Sequence, residues 1–342
     1  MRALIRNEAS DVELREVPTP TLQESTDVRI GVRSAGICMT DLAIVKGAFG
    51  GTTPRILGHE IAGEVLETGA AVRELKAGDR VALQPTISCG QCPACREGNW
   101  HLCPNRRFVG LDVDGGYAEH LVVPAANLVK IPPEVSFRHA CMVEPVACVL
   151  HAVQCFGGLP RKGVIITGAG SSAYLFAQVL ISMGVPREKI LVSGRRDARL
   201  AIMENLEVQT LDARHESLGD KSNAVFGKGG PDILVDLTGD PDLLKGSLDI
   251  IARKGTLFIY DFLGAEIPFH FGMLQLREIT IRTSTGCPGT IPQALALMAS
   301  RQVDVSPLIT HIFLPSRMRE AFLQLSEKAP AHMKSIIEFG TS

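Results

Sequence analysis

Two kinds of apolar pattern succeed one another along the chain. Over the first third, apolar and polar residues alternate singly, in Val12-Glu13-Leu14-Arg15-Glu16-Val17 and again in Val28-Arg29-Ile30-Gly31-Val32-Arg33, with Pro18-Thr19-Pro20 between them. A period of two sends successive side chains to opposite faces of a pleated strand, so these runs predict half-buried strands. Ile61–Val65 and Arg80–Leu83, each beside glycine, extend the expectation to a mostly-β module. Further on the strands become short runs with unbroken apolar centres: Lys162–Thr167, Lys189–Ser193, Asp232–Asp236 and Gly255–Tyr260. Helix-periodic stretches follow two of them, from Ser171 to about Met183 and over Pro241–Ile251. Strands buried on both faces read this way, and β–α alternation predicts a parallel, doubly wound sheet. Pro292–Ser300 and Ser316–Glu327 read as helices, and Lys334–Phe339 as a closing strand.

Composition narrows the class. The 342 residues suffice for two domains with cores of their own. A hydrophobic share of 45%, a charged share of 21% and a net charge of −2 are ordinary for a globular protein. They supply no strong field for nucleic acid or an anionic membrane, so neither is expected as a partner. No apolar run approaches the roughly 18–20 residues that span a bilayer. The start, Met1-Arg2-Ala3-Leu4-Ile5-Arg6, lacks the apolar core of a signal peptide. Nine cysteines, an odd number, fit free thiols and metal ligands in a reducing compartment. A soluble cytoplasmic protein is expected.

Four of those cysteines, Cys89, Cys92, Cys95 and Cys103, follow the pattern Cys-x2-Cys-x2-Cys-x7-Cys. Thiolates this close can close a tetrahedron around one zinc ion, which leaves no open position and makes the site structural. Chance clustering and two disulfides are the alternatives. Before the cluster come Cys38, in Gly36-Ile37-Cys38-Met39-Thr40-Asp41, and His59, in Gly58-His59-Glu60. Each alone reads as a small buried residue or a structural histidine. Together they supply two of the roughly three ligands a catalytic zinc takes. The third is Glu60 or a later carboxylate. Glu144 is such a carboxylate, set in the apolar run Ala140-Cys141-Met142-Val143-Glu144-Pro145-Val146-Ala147. A carboxylate there is paired, protonated or on a metal, or else serves a helix start. Asp41 is placed to orient the His59 imidazole.

After the strand Lys162–Thr167 comes Gly168-Ala169-Gly170-Ser171-Ser172-Ala173, opening the apolar-periodic helix. This is Gly-x-Gly-x-x-Ala in a strand–turn–helix setting. Gly168 permits the turn, Gly170 lets a pyrophosphate approach, helix N–H groups meet its charge, and Ala173 keeps the packing close. The next strand ends without the acid that accepts from NAD ribose hydroxyls. It reads Gly194-Arg195-Arg196-Asp197-Ala198-Arg199 instead. Guanidinium forks there match a 2′-phosphate, so NADP is inferred over NAD. The alternative leaves Arg195 and Arg196 solvated and gives the ribose to Asp197. Tyr260, Asp261 and Phe262 fall at the carboxyl end of a strand, where such sheets bind ligands, and are expected near the nicotinamide.

Taken together, Cys38-x-Thr40-Asp41, Gly58-His59-Glu60, the four cysteines and Glu144-Pro145 resemble the zinc-containing medium-chain dehydrogenase/reductase family. The likeness is to its polyol (sorbitol-type) and threonine dehydrogenase branches, which carry Glu-Pro where liver-type enzymes have a cysteine ligand. Gly110–His120, with Asp112, Asp114, Gly115 and Tyr117, resembles another of their runs. The resemblance covers essentially the whole chain. It implies a GroES-like catalytic domain, 1–145 and 286–342, with a zinc lobe at about 88–104, and a Rossmann domain, 146–285. It implies two zinc ions per chain, one held by Cys38, His59 and Glu144, with Glu60 as an exchangeable ligand or a supporting group. It also implies a homo-oligomer, dimer or tetramer. Thr40 matches the relay hydroxyl that passes the alcohol proton on. Where the family often has histidine three residues later, this chain has Ala43, so the proton leaves by water or another group such as Glu60.

The expected activity is hydride transfer between NADP(H) and a secondary alcohol or ketone: a polyol, sugar, cyclitol or amino-alcohol. Threonine-type dehydrogenation and reduction of a simple ketone or aldehyde are the alternatives. A non-catalytic NADP-binding protein is a remoter one, opposed by the full zinc-ligand set.

Overall fold

The computed structural model describes residues 1–7, 11–49, 51–261, 266–267, 270–327 and 329–340, with the side chains of 326 and 327 left aside. The chain divides into two compact units. One comprises Met1–Ala147, Gly286–Arg301 and Val305–Ser342, and the other Cys148–Thr285 with Gln302–Asp304.

The first unit is built on a seven-stranded sheet. In spatial order the strands are Leu128–Lys130, Arg80–Leu83, Glu60–Thr68, Asp27–Gly36, Lys334–Glu338 and Ile309–Phe313, and His120–Pro124 also pairs with Asp27–Gly36. A second sheet joins Val12–Glu16, Arg2–Arg6 and Arg55–Ile56. The alternation read from Val28–Arg33 is real: Val28, Ile30 and Val32 face the core with Leu4, Ile61, Val65 and Tyr117. Burying each such aliphatic side chain stabilises by about 1.5–3 kcal/mol. The helix Met318–Glu327 presents Met318, Ala321, Phe322 and Leu325 to the same core, the i, i+3, i+4, i+7 spacing of one helical face. Register fixes what meets at one end of the sheet. Gly36, the last residue of its strand, lies opposite both Glu60 and Ile336. Glu60 and Lys334 each open a strand there.

The second unit is a six-stranded, wholly parallel sheet. Its order is Gln209–Asp212, Ile190–Gly194, Val164–Thr167, Ile233–Asp236, Thr256–Ile259 and Thr280–Thr283. The chain moves outward from Val164–Thr167 in one direction, then returns to build the other half. That reversal opens a crevice at the strands' carboxyl ends. The strands Val164–Thr167, Ile190–Gly194 and Ile233–Asp236 are buried throughout, which is why they read as continuous apolar runs. The edge strand Thr280–Thr283 is exposed throughout and carried no such signal.

Helix Ser171–Ser182 follows the first of these strands with Gly170 as its N-cap. Among the described residues no helix is long and apolar enough to cross a membrane.

Candidate metal centre and nucleotide turn

Cys38 and Asp41 are placed by one short device. Cys38 caps the helix Met39–Val45; the N–H of Thr40 donates to Cys38 Sγ at 3.4 Å, and the N–H of Cys38 donates to Asp41 Oδ2 at 3.0 Å. This reciprocal cap aims both side chains at the head of the strand Glu60–Thr68. His59 precedes that strand, and its Nδ1 lies 3.1 Å from Asp41 Oδ1. Asp41 is fully buried and also accepts from the Tyr117 hydroxyl at 2.5 Å, a hydroxyl that lies 3.0 Å from the Gly36 carbonyl oxygen. Gly58 has φ +97°, and a Cβ there would stand 2.4 Å from the Tyr117 ring, so only glycine lets the ring pack against the backbone at residue 58. Burial works against charge on both partners. The Asp41 carboxylate nevertheless raises the affinity of the His59 imidazole for a proton well above the ordinary range, with Cys38 adding to the effect, and a metal ion bound there would displace that proton. His59 and Tyr117 in turn keep Asp41 ionised.

One ligand atom from each of Cys38, His59 and Glu60 lies within 4.8 Å of the others. Glu60 is buried, its Oε1 accepts from Lys334 Nζ at 2.5 Å, and its Oε2 has no hydrogen-bond partner. A Cβ on Gly36 would stand 2.1 Å from that second oxygen, so the slot it occupies exists because residue 36 is glycine. An orphaned buried carboxylate oxygen beside a thiol and an imidazole is a donor set that fits a zinc ion. Thr40 sits in the first turn of the same helix as Cys38. Ala43, in place of the relay histidine, is on that helix too.

Glu144 lies outside the 4.8 Å grouping of Cys38, His59 and Glu60, and its carboxylate is within 4.8 Å of the Cys287 thiol. It is buried and stands in the first turn of the helix Val143–Gln154, so the helix-start reading is also met.

The four-cysteine lobe closes as its spacing predicts. Cys92 Sγ is 3.5 Å and Cys89 Sγ 3.9 Å from Cys95 Sγ, and one grouping takes in Cys103 as well. The N–H groups of Gln91 and Cys92 pull the Cys89 thiol down to about 6. At Cys92 the N–H of Cys95 also lowers, but desolvation and the neighbouring thiols win and raise it to about 11. Four sulfurs competing for negative charge are what a divalent cation relieves.

In the second unit, Gly168 has φ +98°, the turn its position was expected to need, and its N–H donates to the Ser193 carbonyl at 2.8 Å. Ser171, Ser172 and Ala173 open the helix. A Cβ on Gly170 would stand 3.8 Å from Arg199 Nη1, so the Arg199 guanidinium faces this turn. Burial, and then the neighbouring Arg196 charge, bring Arg199 down to about 10. An anion between the two would relieve that cost. Gly194 ends its strand, and Arg195 beyond it is 3.6 Å from Asp240. Asp197 is engaged by Arg214, which also grips Asp212. Tyr260 stacks edge-on against Phe176 at 5.0 Å, with Asp261 next to it. Phe262 lies outside the described residues.

Two supporting residues had no assigned part in the sequence reading. Tyr117 stood in a quoted run but without a role, and Gly58, which makes room for its ring, was the available signal. Lys334 carried none, since it is 274 positions from its partner Glu60.

Residues 24–133 match the family model for the alcohol dehydrogenase GroES-like domain, and residues 174–300 that for the zinc-binding dehydrogenase domain. L-threonine 3-dehydrogenase of Paraburkholderia xenovorans (strain LB400) is 31% identical, over 94% of this chain and 95% of its own length. L-galactonate-5-dehydrogenase of Escherichia coli (strain K12) is 30% identical, over 90% and 89%. A zinc-binding dehydrogenase of Sinorhizobium meliloti 1021, solved bound to NADP, superposes with a TM-score of 0.90 at 28% identity, covering 99% of each chain. These likenesses define a zinc-dependent oxidoreductase acting on CH–OH groups. The chain belongs to the medium-chain dehydrogenase/reductase family of alcohol dehydrogenases, alongside its polyol and threonine dehydrogenases.

Proposed function

We propose that the protein is an NADP-dependent zinc dehydrogenase or ketone reductase of secondary alcohols, acting on a polyol, sugar, cyclitol or amino-alcohol. The observation that carries the cofactor preference is the run after the strand Ile190–Gly194, which offers Arg195 and Arg196 in place of an acid, with the Arg199 guanidinium of the following helix facing the Gly170 turn. Asp197, the candidate partner for an NAD ribose, is occupied by Arg214. The NADP bound to the S. meliloti relative supports the same choice.

Two zinc ions per chain are proposed. Cys89, Cys92, Cys95 and Cys103 hold one, with no position left open. Cys38 and His59 hold the other, with Glu60 and Glu144 as its carboxylates. That zinc supplies Lewis acidity, easing loss of a hydroxyl proton or reduction of a carbonyl, and the nicotinamide supplies the hydride chemistry. The chain's own part is positioning. Asp41 and Tyr117 fix the imidazole tautomer and plane of His59. Thr40 takes the substrate proton at its hydroxyl, and with Ala43 in the relay position that proton leaves through water or Glu60. Gly168, Gly170, Ser171, Ser172, Ala173, Gly194, Arg195, Arg196 and Arg199 seat the nucleotide, and Tyr260 and Asp261 border its nicotinamide end. The catalytic assembly is a homo-oligomer.

The test is a panel of polyols, sugars, amino-alcohols and ketones, L-threonine included, run with both cofactors beside metal analysis. Two zinc ions and a strong NADPH preference are expected. Arg196→Ala should raise the KM for NADPH about 10–100-fold and spare NADH, since it removes a charge-assisted phosphate contact. One zinc per chain removes the catalytic centre, and an NAD preference refutes the reading of the arginines. The 31% identity to a threonine dehydrogenase favours a second reading, L-threonine oxidation, which the same panel separates.

A further inference from the structure

The Glu60 carboxylate is divided. Lys334 Nζ is 2.5 Å from Oε1, and both side chains are buried, at 8% and 1% exposure. Oε2 has no partner and sits in the slot that Gly36 leaves open. The grouping with Cys38 Sγ and His59 needs only one Glu60 oxygen. Lys334 is fixed in turn, because its strand Lys334–Glu338 lies between Asp27–Gly36 and Ile309–Phe313. The Ser335 carbonyl accepts from the Ile37 N–H at 3.0 Å, and the Thr310 hydroxyl oxygen faces the N–H groups of Met333 and Lys334 at 3.1 and 3.4 Å. The ammonium therefore reaches Glu60 from a sheet strand whose backbone is hydrogen-bonded to Ile37, the residue before Cys38, rather than from a flexible surface arm.

We propose that Lys334 is a positioning residue that rations Glu60, holding one carboxylate oxygen so that Glu60 remains a weak, exchangeable ligand and the fourth zinc position stays open to substrate. The inference rests on Cys38, His59 and Glu60 being a zinc site. The physics sets its direction. A carboxylate shared with an ammonium donates less charge to a metal, and the ammonium's own charge opposes a nearby cation. Without Lys334, both Glu60 oxygens are free at a site built to hold anionic donors. The carboxylate then closes on the metal, which is held more tightly and is less open to an incoming ligand.

The experiment uses cobalt(II) exchanged for zinc in the full-length protein, with imidazole as the incoming ligand. The difference spectrum against Cys38→Ser isolates this site from the cysteine lobe. In the wild type, imidazole shifts that difference spectrum. In Lys334→Met the shift should need at least tenfold more imidazole, and cobalt release to a chelator should slow at least tenfold. Lys334→Arg should restore both. Glu60→Gln/Lys334→Met, which removes the two charges together and also controls for folding, should regain the wild-type imidazole response. A Lys334→Met protein that titrates with imidazole as the wild type does overturns the proposal. So does a double variant that stays as unresponsive as the single one. If Cys38→Ser and wild type bind the same amount of cobalt, the zinc site itself fails, a result distinct from either.

Discussion

Replacing Tyr117 by phenylalanine isolates one hydrogen bond. The ring stays, filling the space that Gly58 leaves, so no cavity opens. What goes is the hydroxyl that donates to Asp41 Oδ2 at 2.5 Å. A buried hydrogen bond to a charged group contributes about 1.5–3 kcal/mol. Asp41 Oδ2 keeps its bond from the Cys38 N–H at 3.0 Å, so the carboxylate is not orphaned and a loss of about 2 kcal/mol is expected. For a unit of this size that lowers Tm by about 4–8 °C. The same hydroxyl steadies the acceptor that orients His59 Nδ1, and removing such a support weakens metal binding by about 10–100-fold. With Asp41 still anchored, the lower end, about tenfold, is expected. Calorimetry on metal-loaded protein reads the first effect, and competition with a fluorescent chelator the second. A Tyr117→Phe protein that melts with the wild type and gives up zinc no faster refutes the claim that Tyr117 organises the Asp41–His59 pair.

Gly36→Ala should displace the Glu60 carboxylate, because its Cβ falls 2.1 Å from Oε2. Metal stoichiometry at the Cys38 site and turnover should fall together, with the cysteine lobe still loaded by mass spectrometry. Cys95→Ser should release the lobe metal and lower Tm. KM for the substrate should change less than twofold, and a large KM change would make the lobe part of the substrate site. Thr40→Val should retain both zinc ions by metal analysis and lose most turnover, and unchanged turnover would remove Thr40 from the proton path.

Much of the fold was legible because burial on two faces and burial on one leave different imprints. Ile165, Leu191 and Leu234 stood in unbroken apolar runs and became the centre of the parallel sheet. Val28, Ile30 and Val32 alternated with polar residues and became one face of a sheet. Gln209–Asp212 and Thr280–Thr283 lie at the two ends of the parallel sheet, and their mixed composition gave no pattern to read. The site divided in the same way. Cys38 and Asp41 could be paired from sequence because they are three residues apart on one helix cap. The four cysteines declared themselves by spacing. Glu60 could be named but not characterised, since its charge partner is set by sheet register between distant strands.

That distance has a consequence in time. The strand Asp27–Gly36 and residues Cys38, His59 and Glu60 leave the ribosome before Lys334, which follows Glu60 by 274 residues. At about 5–20 residues per second, the gap lasts roughly 15–55 s. Through that interval one end of Asp27–Gly36 lacks its neighbour, leaving an unpaired strand edge, while Glu60 has no counter-ion. The parallel-sheet unit, encoded within the gap, can fold first. Chains stalled on ribosomes before the strand Lys334–Glu338 emerges should therefore expose the Asp27–Gly36 edge to proteases, and chains that include it should not.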